Sequence, residues 1–268
     1  MADMELSLTN PGIQILQCVR MRLPESWWTY PNLSAPHWRF YWNPLPGGGV
    51  SLNGRVTPLD PTICAVIPPH TPFASSNKRL SEQFYFHFVA DPPFERVTPA
   101  IYTFPVTREI RQVLDEASTL LRDRGRKDSA RFPVLLHWLA CLALMQVPDD
   151  QLRPMRLDPR IQKAIKRMQQ NVGGTLPNPQ LAEEAGMNTN AFIRLFKRHM
   201  GQTPQTYLLR KRLDHACQLL CFTSQTVKAI AEKTGFCDRY HFSRVFRKHQ
   251  DVGPATYRNM HMALSSQV

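Results

Sequence analysis

Phe242-Ser243-Arg244-Val245-Phe246-Arg247-Lys248-His249, followed by Gly253-Pro254-Ala255-Thr256-Tyr257, is the second writing of one pattern. The first stands fifty residues earlier: Phe192-Ile193-Arg194-Leu195-Phe196-Lys197-Arg198-His199, then Thr203-Pro204-Gln205-Thr206-Tyr207. Upstream, Ala182-Glu183-Glu184-Ala185-Gly186 recurs as Ala231-Glu232-Lys233-Thr234-Gly235 at an offset of forty-nine. The later copy therefore holds one extra residue between its Gly and its Phe. A repeat of this detail marks one supersecondary unit per copy.

Each copy reads as two short helices joined at a glycine. In the second, Val227, Ile230 and Ala231 fall at i, i+3 and i+4, which makes one apolar helix face. Gly235 can take the positive φ that ends such a helix. Asp238 can cap the next one by accepting from its free N–H groups. Phe242, Val245 and Phe246 form the inward stripe there, with Arg239, Tyr240, Ser243, Arg244 and Arg247 mostly off it. In the first copy, Leu181, Ala182 and Ala185 precede Gly186, and Asn188 or Thr189 caps. Phe192, Leu195 and Phe196 then point inward, and Asn190, Arg194, Lys197 and Arg198 outward. This is the pattern of a helix-turn-helix written twice, at about 179–200 and 226–250. A basic helical bundle is the plainer reading of one copy alone; two copies with matching Arg positions argue against it.

The segment from about Pro159 to Arg258 resembles the DNA-binding domain of AraC/XylS-type transcription regulators. Ile230-Ala231-Glu232-Lys233-Thr234-Gly235-Phe236, Phe242 to His249, and Pro254-Ala255-Thr256-Tyr257-Arg258 carry the resemblance. Asp251-Val252-Gly253 departs from it, where members more often have Gly-Val-Ser or Gly-Val-Thr. The resemblance implies two units held by a long helix, and Thr203 to about Phe222 can supply one. About nineteen residues at ~1.5 Å each reach about 28 Å, near the ~34 Å between successive major-groove faces.

Charge divides the chain in the same way. Residues 1–155 hold 15 Lys/Arg and 14 Asp/Glu, whereas residues 156–268 hold 18 and 7. A neutral half joined to a strongly basic one points to a polyanionic partner for the second half. A membrane surface fits less well, because the basic residues alternate with core positions on short helices. Val147 to Pro154 reads as a linker, with a new helix from Asp158-Pro159. The expected divisions are residues 1–147 for sensing and dimerisation, 148–157 for the linker and 158–268 for DNA binding. No signal-peptide pattern opens the sequence, and no apolar run is long enough to span a bilayer. The six scattered cysteines, with no Cys-x-x-Cys, fit a reduced cytoplasm.

The front half reads as short strands between Gly/Pro turns. His37 to Trp42, Ile63 to Ile67 and Gln83 to Val89 are its clearest strands, and Val50 to Val56 reads as a strand entering a turn. Ile67-Pro68-Pro69-His70-Thr71-Pro72 and Phe84-Tyr85-Phe86-His87-Phe88 resemble the cupin-like sensor half of the same family. That resemblance implies a barrel, with residues 1–15 as an arm. Two helical stretches follow, with Ile110, Val113, Leu114, Ala117, Leu120 and Leu121 in one and Leu135, Leu136, Leu139, Leu142 and Leu144 in the other. They cover an open sheet side, and the resemblance makes one of them also a two-fold dimer contact. The expected class is thus α+β: a β-rich cupin-like barrel with two covering helices, then an all-α domain with two helix-turn-helix units.

The functional expectation is a ligand-responsive DNA-binding regulator, an activator by resemblance, which would then meet RNA polymerase. Base edges would be read by Asn190 and Arg194, and by Arg239, Tyr240, Ser243 and Arg244, since the arginine fork matches guanine O6 and N7. Lys197, Arg198, Arg247 and Lys248, with helix N-terminal N–H groups, would hold phosphates. Ligand candidates are His37, Arg39 and Tyr41 on one face of a strand, or Trp38 and Trp42 on the other, where the competing role is core. Stacking aromatics with Arg and His suggest a carbohydrate first and an aromatic or other small metabolite second. The alternative is a cupin-type metal-dependent enzyme carrying a nucleic-acid-binding tail. It lacks a His-x-His pair, and His70 and His87 stand apart, so no metal, cofactor or catalytic residue is expected.

Overall fold

The computed structural model describes residues 12–91, 93–94, 97–122, 129–152 and 157–262. It divides into two compact units, residues 1–154 and 155–268. Residues 1–11 of the expected arm and 153–156 of the expected linker lie outside the described residues.

The first unit is built of β1 (Gln14–Leu23), β2 (Tyr30–Leu33), β3 (Trp38–Leu45), β4 (Gly48–Leu52), β5 (Arg55–Pro58), β6 (Ile63–Ile67), β7 (Phe73–Asn77), β8 (Ser81–Val89) and β9 (Tyr102–Pro105), then α1 (Arg108–Arg122) and α2 (Arg131–Leu144). They form a five-stranded sheet in the order β1-β8-β3-β6-β9 and a four-stranded one in the order β2-β7-β4-β5. Every pairing is antiparallel. Gln14 and Ile15, expected in the arm, are the first residues of β1 instead, and His137 holds the Ile13 carbonyl at 3.1 Å. The stretch Val50–Val56, expected as a strand entering a turn, is a hairpin whose return strand is β5. Asn53 and Gly54 both take positive φ, the turn geometry that Asn-Gly favours.

Because side chains alternate along a strand, β3 and β8 have two different faces. Trp38, Phe40, Trp42, Phe84, Phe86 and Phe88 form one core with Ile110, Leu114 and Ala117 of α1 and Leu136, Leu139 and Ala143 of α2. The expectation that two helices cover the sheet thus matches what is seen. Arg39, Tyr41, Tyr85 and His87 are on the opposite face, turned toward the smaller sheet.

The second unit contains α3 (Pro159–Gln170), α4 (Asn178–Glu184), α5 (Thr189–Met200), α6 (Pro204–Phe222), α7 (Val227–Lys233), α8 (Arg239–Gln250) and α9 (Pro254–Met262). The duplication in the sequence is a duplication in space. Phe192 and Phe196 stack at 5.9 Å, with Tyr207 edge-on at 5.7 Å; Phe242 and Phe246 stack at 5.4 Å, with Tyr257 edge-on at 5.3 Å. There are two cores, one per module. The long helix α6 enters both: Tyr207 and Leu208 belong to the first, and Leu213, Ala216, Cys217, Leu220 and Cys221 to the second. Cys217 and Cys221 are core residues, and burial pushes the Cys217 thiol up.

The copies differ at one helix end. Gly201 closes α5 at φ 70°, and Asp251, its counterpart, closes α8 at φ 60°. A side chain in this left-handed region is strained. Asp251→Gly should therefore stabilise the protein by about 1 kcal/mol, read as a higher urea midpoint. An unchanged or lower midpoint would mean that the aspartate holds this turn by another route.

Candidate nucleic-acid interface

In both modules the turn and the cap fix where the second helix begins. Gly186 (φ 65°) and Gly235 (φ 77°) follow α4 and α7. Their N–H groups bond Glu183 and Glu232 carbonyls, and the next residues bond Ala182 and Ala231. The chain then diverges: the extra residue of the second copy, Cys237, comes after the buried Phe236 and before the cap. Asn188 Oδ1 caps α5 by accepting from Ala191 N–H at 2.8 Å. Asp238 caps α8 by accepting from Tyr240 N–H at 2.7 Å and His241 N–H at 2.8 Å.

The His241 N–H, the Cys237 thiol and the Tyr240 N–H hold the Asp238 carboxyl below the usual carboxylate range. Its contribution is thus complete above the ordinary carboxylate pKa and is lost as pH falls through the lowered one. These caps correct one expectation. At α8 the Tyr240 and His241 N–H groups already serve a carboxylate, whose charge repels phosphate, so these two do not hold a phosphate in the way expected of helix N-termini from sequence.

Each helix presents a basic outer face. Asn190, Arg194, Lys197 and Arg198 are exposed on α5, with Phe192, Phe196 and Met200 buried behind them. On α8, Arg239, Tyr240, Arg244, Arg247 and Lys248 are exposed and Ser243 half-buried, over buried Phe242 and Phe246. Arg239, Tyr240, Ser243, Arg244 and Arg247 line one open hollow of about 580 Å³ together with Val227 and with Gly253 to Thr256 at the start of α9. Arg239 lies over the Tyr240 ring at 5.0 Å. Lys248 is outside the hollow's lining. Val227 was read from sequence only as part of an apolar helix face and Thr256 only as part of the repeat, and neither was expected at the interface; the hint for Thr256 was that Pro-x-Thr recurs at both helix starts.

The structure also separates cations that hold the fold from those left over. Arg160 pairs with Asp158 at 2.7 Å, and Arg167 with Glu184 at 3.7 Å; Lys163 donates to the Glu184 carbonyl. Arg212 donates to the Val172 and Gly174 carbonyls, and Arg258 to those of Leu220 and Gln225. Arg194, Lys197, Arg198, Arg239, Arg244, Arg247 and Lys248 make no ion pair among the described residues. Net charge alone could not draw that distinction.

In the first unit, His37, Arg39 and Tyr41 face inward. His37 lies 4.7 Å from His87, Arg39 lies 5.1 Å from the Phe73 ring, and Tyr41 lies 5.1 Å from Trp28. Trp38 and Trp42 do not join them. They are buried against the helices, donating to the Phe94 and Pro61 carbonyls. Of the two strand faces weighed as ligand sites, theirs is core, because strand alternation turns it toward α1 and α2. Among the described residues, no three His, Cys, Asp or Glu gather as a metal site, and no helix is long and apolar enough to cross a membrane.

Comparison with known proteins places these features. Residues 181–260 match the helix-turn-helix domain family. An uncharacterized HTH-type transcriptional regulator of Haemophilus influenzae is 36% identical over 157 residues, which is 58% of this chain and 52% of that protein. The HTH-type transcriptional activator RhaS of Yersinia pestis is 32% identical over 122 residues, 46% of this chain and 42% of the activator. The match thus spans about half the length of these curated relatives. Across both units the fold is similar to that of ToxT from Vibrio cholerae, with a TM-score of 0.56, 13% identity, and coverage of 91% of this chain and 98% of that one. Residues 181–260 thus carry a helix-turn-helix domain of the AraC/XylS type. The family consists of transcription regulators, not enzymes.

Proposed function

We propose that the protein is a sequence-specific DNA-binding transcription regulator, an activator, which sets its two modules into successive major-groove segments of one duplex. The observation that carries this reading is the set of unpaired cations on the outer faces of α5 and α8, backed by Phe cores and started by capped first turns. Arg194 and Arg244 hold equivalent positions and read bases, with Asn190 beside the first and Arg239, Tyr240 and Ser243 beside the second. Lys197, Arg198, Arg247 and Lys248 hold phosphates and make binding salt-dependent.

Arg244→Ala should cost about 1–3 kcal/mol in affinity and relax specificity at one base pair. Binding to a selected site and to its single-base variants checks this. Equal weakening on every sequence would reassign Arg244 to the backbone.

Residues 1–147 sense a small molecule, residues 148–157 link, and residues 158–268 bind DNA in the cytoplasm. His37, Arg39 and Tyr41 surround the effector, for which a carbohydrate was the first expectation. The effector acts only through its unequal affinity for two states of the protein. A homodimer forms through the first unit. Exposed Val134, Trp138 and Cys141 on α2, with Met145 at its C-terminal cap, support this, since their spacing makes one apolar stripe. RNA polymerase is the further partner of an activator.

A further inference from the structure

The inner face of β3 carries a cation that the described fold does not neutralise. Arg39 is 2% exposed. Its guanidinium lies over Phe73, and its Nη1 has no hydrogen-bond partner. Among the described residues no carboxylate pairs with it. The inward side chains of the strands around it are Tyr41 and Asn43 on β3, Gln83, Tyr85 and His87 on β8, and Phe73, Ser75 and Asn77 on β7, and none is acidic. Glu82, the acid nearest in sequence on β8, is on the other face and is held by Arg20 at 2.8 Å.

Two hydroxyls, that of Ser75 on β7 and that of Thr71 in the loop just before it, are also buried without partners. An arginine cannot lose its charge to relieve burial, and a buried charge lacking a counter-charge is strongly unfavourable. On the same inner face the rings of Trp28, Phe73 and Tyr85 gather around Tyr41.

We propose that the interior of the first unit binds a small organic acid. Its carboxylate accepts the N–H fork of Arg39, the Thr71 and Ser75 hydroxyls donate to it, and its body lies against the aromatic rings. This rests on the reading of that interior as the effector site, and it replaces the carbohydrate expectation: a neutral sugar would leave the guanidinium uncompensated.

The test is thermal unfolding of the full chain at matched ionic strength. The probes are sodium formate, acetate, benzoate, hexanoate and glucuronate, set against chloride and the neutral benzamide, hexanol and glucose. At least one carboxylate should raise Tm above chloride while its neutral partner does not. Arg39→Met should remove that rise, and Arg39→Lys, which keeps the charge but not the fork, should reduce it. Circular dichroism checks that both variants are folded.

A rise that survives in both variants would place the acid elsewhere and overturn the proposal. A rise from glucose or another neutral probe, with none from any carboxylate, would overturn the organic acid but keep the effector site. No rise from either class, formate and acetate included, would overturn both. A carboxylate response gained only in Asp3→Asn/Glu5→Gln would show that the chain supplies its own counter-charge, and would sink the small-molecule proposal.

Discussion

Gly173→Val is expected to lower affinity for a full two-module DNA site by about a hundredfold, while binding to a half-site that engages one module stays near its original value. The reason is a backbone contact between the modules. A Cβ on Gly173, in the turn between α3 and α4, would stand 2.3 Å from the carbonyl oxygen of Lys233 at the end of α7. A Cβ on Gly235 would stand 2.5 Å from the Gly173 carbonyl oxygen. Arg212 of α6 lies in the same contact, bonding Val172 and Gly174 carbonyls at 2.9 and 2.8 Å. Neither partner is a flexible side chain that could move aside, so a larger residue must separate the turns.

Linked binding sites gain about 10²–10⁴-fold when both engage together and lose that gain when geometry forbids it. Overpacking itself should cost only about 1–3 kcal/mol of stability, which unfolding can measure separately. If full-site and half-site affinities fall together, the contact stabilises the fold but does not set the spacing of the modules. Gly186 supplies a control. It has the same positive φ, yet nothing lies within 4 Å of its would-be Cβ, so it serves its own turn alone.

Phe246→Ala should destabilise the second module by about 3–5 kcal/mol. Phe246 is fully buried between Phe242 and Tyr257. Alanine there removes a ring and leaves a cavity that the neighbouring helices cannot fill. The first module has its own core around Phe192, Phe196 and Tyr207, so the loss should be uneven. Amide exchange should speed up through α7, α8 and α9 well before α4 and α5. Equal loss of protection in both would show that α6 and the Gly173–Gly235 contact make one cooperative unit of the two cores.

The helical half was legible because its information is local and written twice. Spacing placed the inward Phe pairs and the outward Arg residues, and the turn glycines and cap residues marked the helix boundaries. The first unit was legible only in part. The strand from His37 and the one from Gln83 are visible by alternation, and so is the turn after Val50, but the start of β1 reads as part of an arm and the return strand β5 carries too short a pattern to stand out.

The sequence by itself determined that two matching helix pairs exist, that they are basic, and that a β-rich half precedes them. Tertiary structure alone decided which face of β3 is core, putting Trp38 and Trp42 under α1 and α2 and Arg39 inside. It also decided which cations are consumed by carboxylates and carbonyls, and which of two near-identical glycine turns bears on its neighbour. Alternation and periodicity tell which residues share a face. What that face meets depends on segments far away in the chain, and so do the charge balance and the close backbone contacts made there.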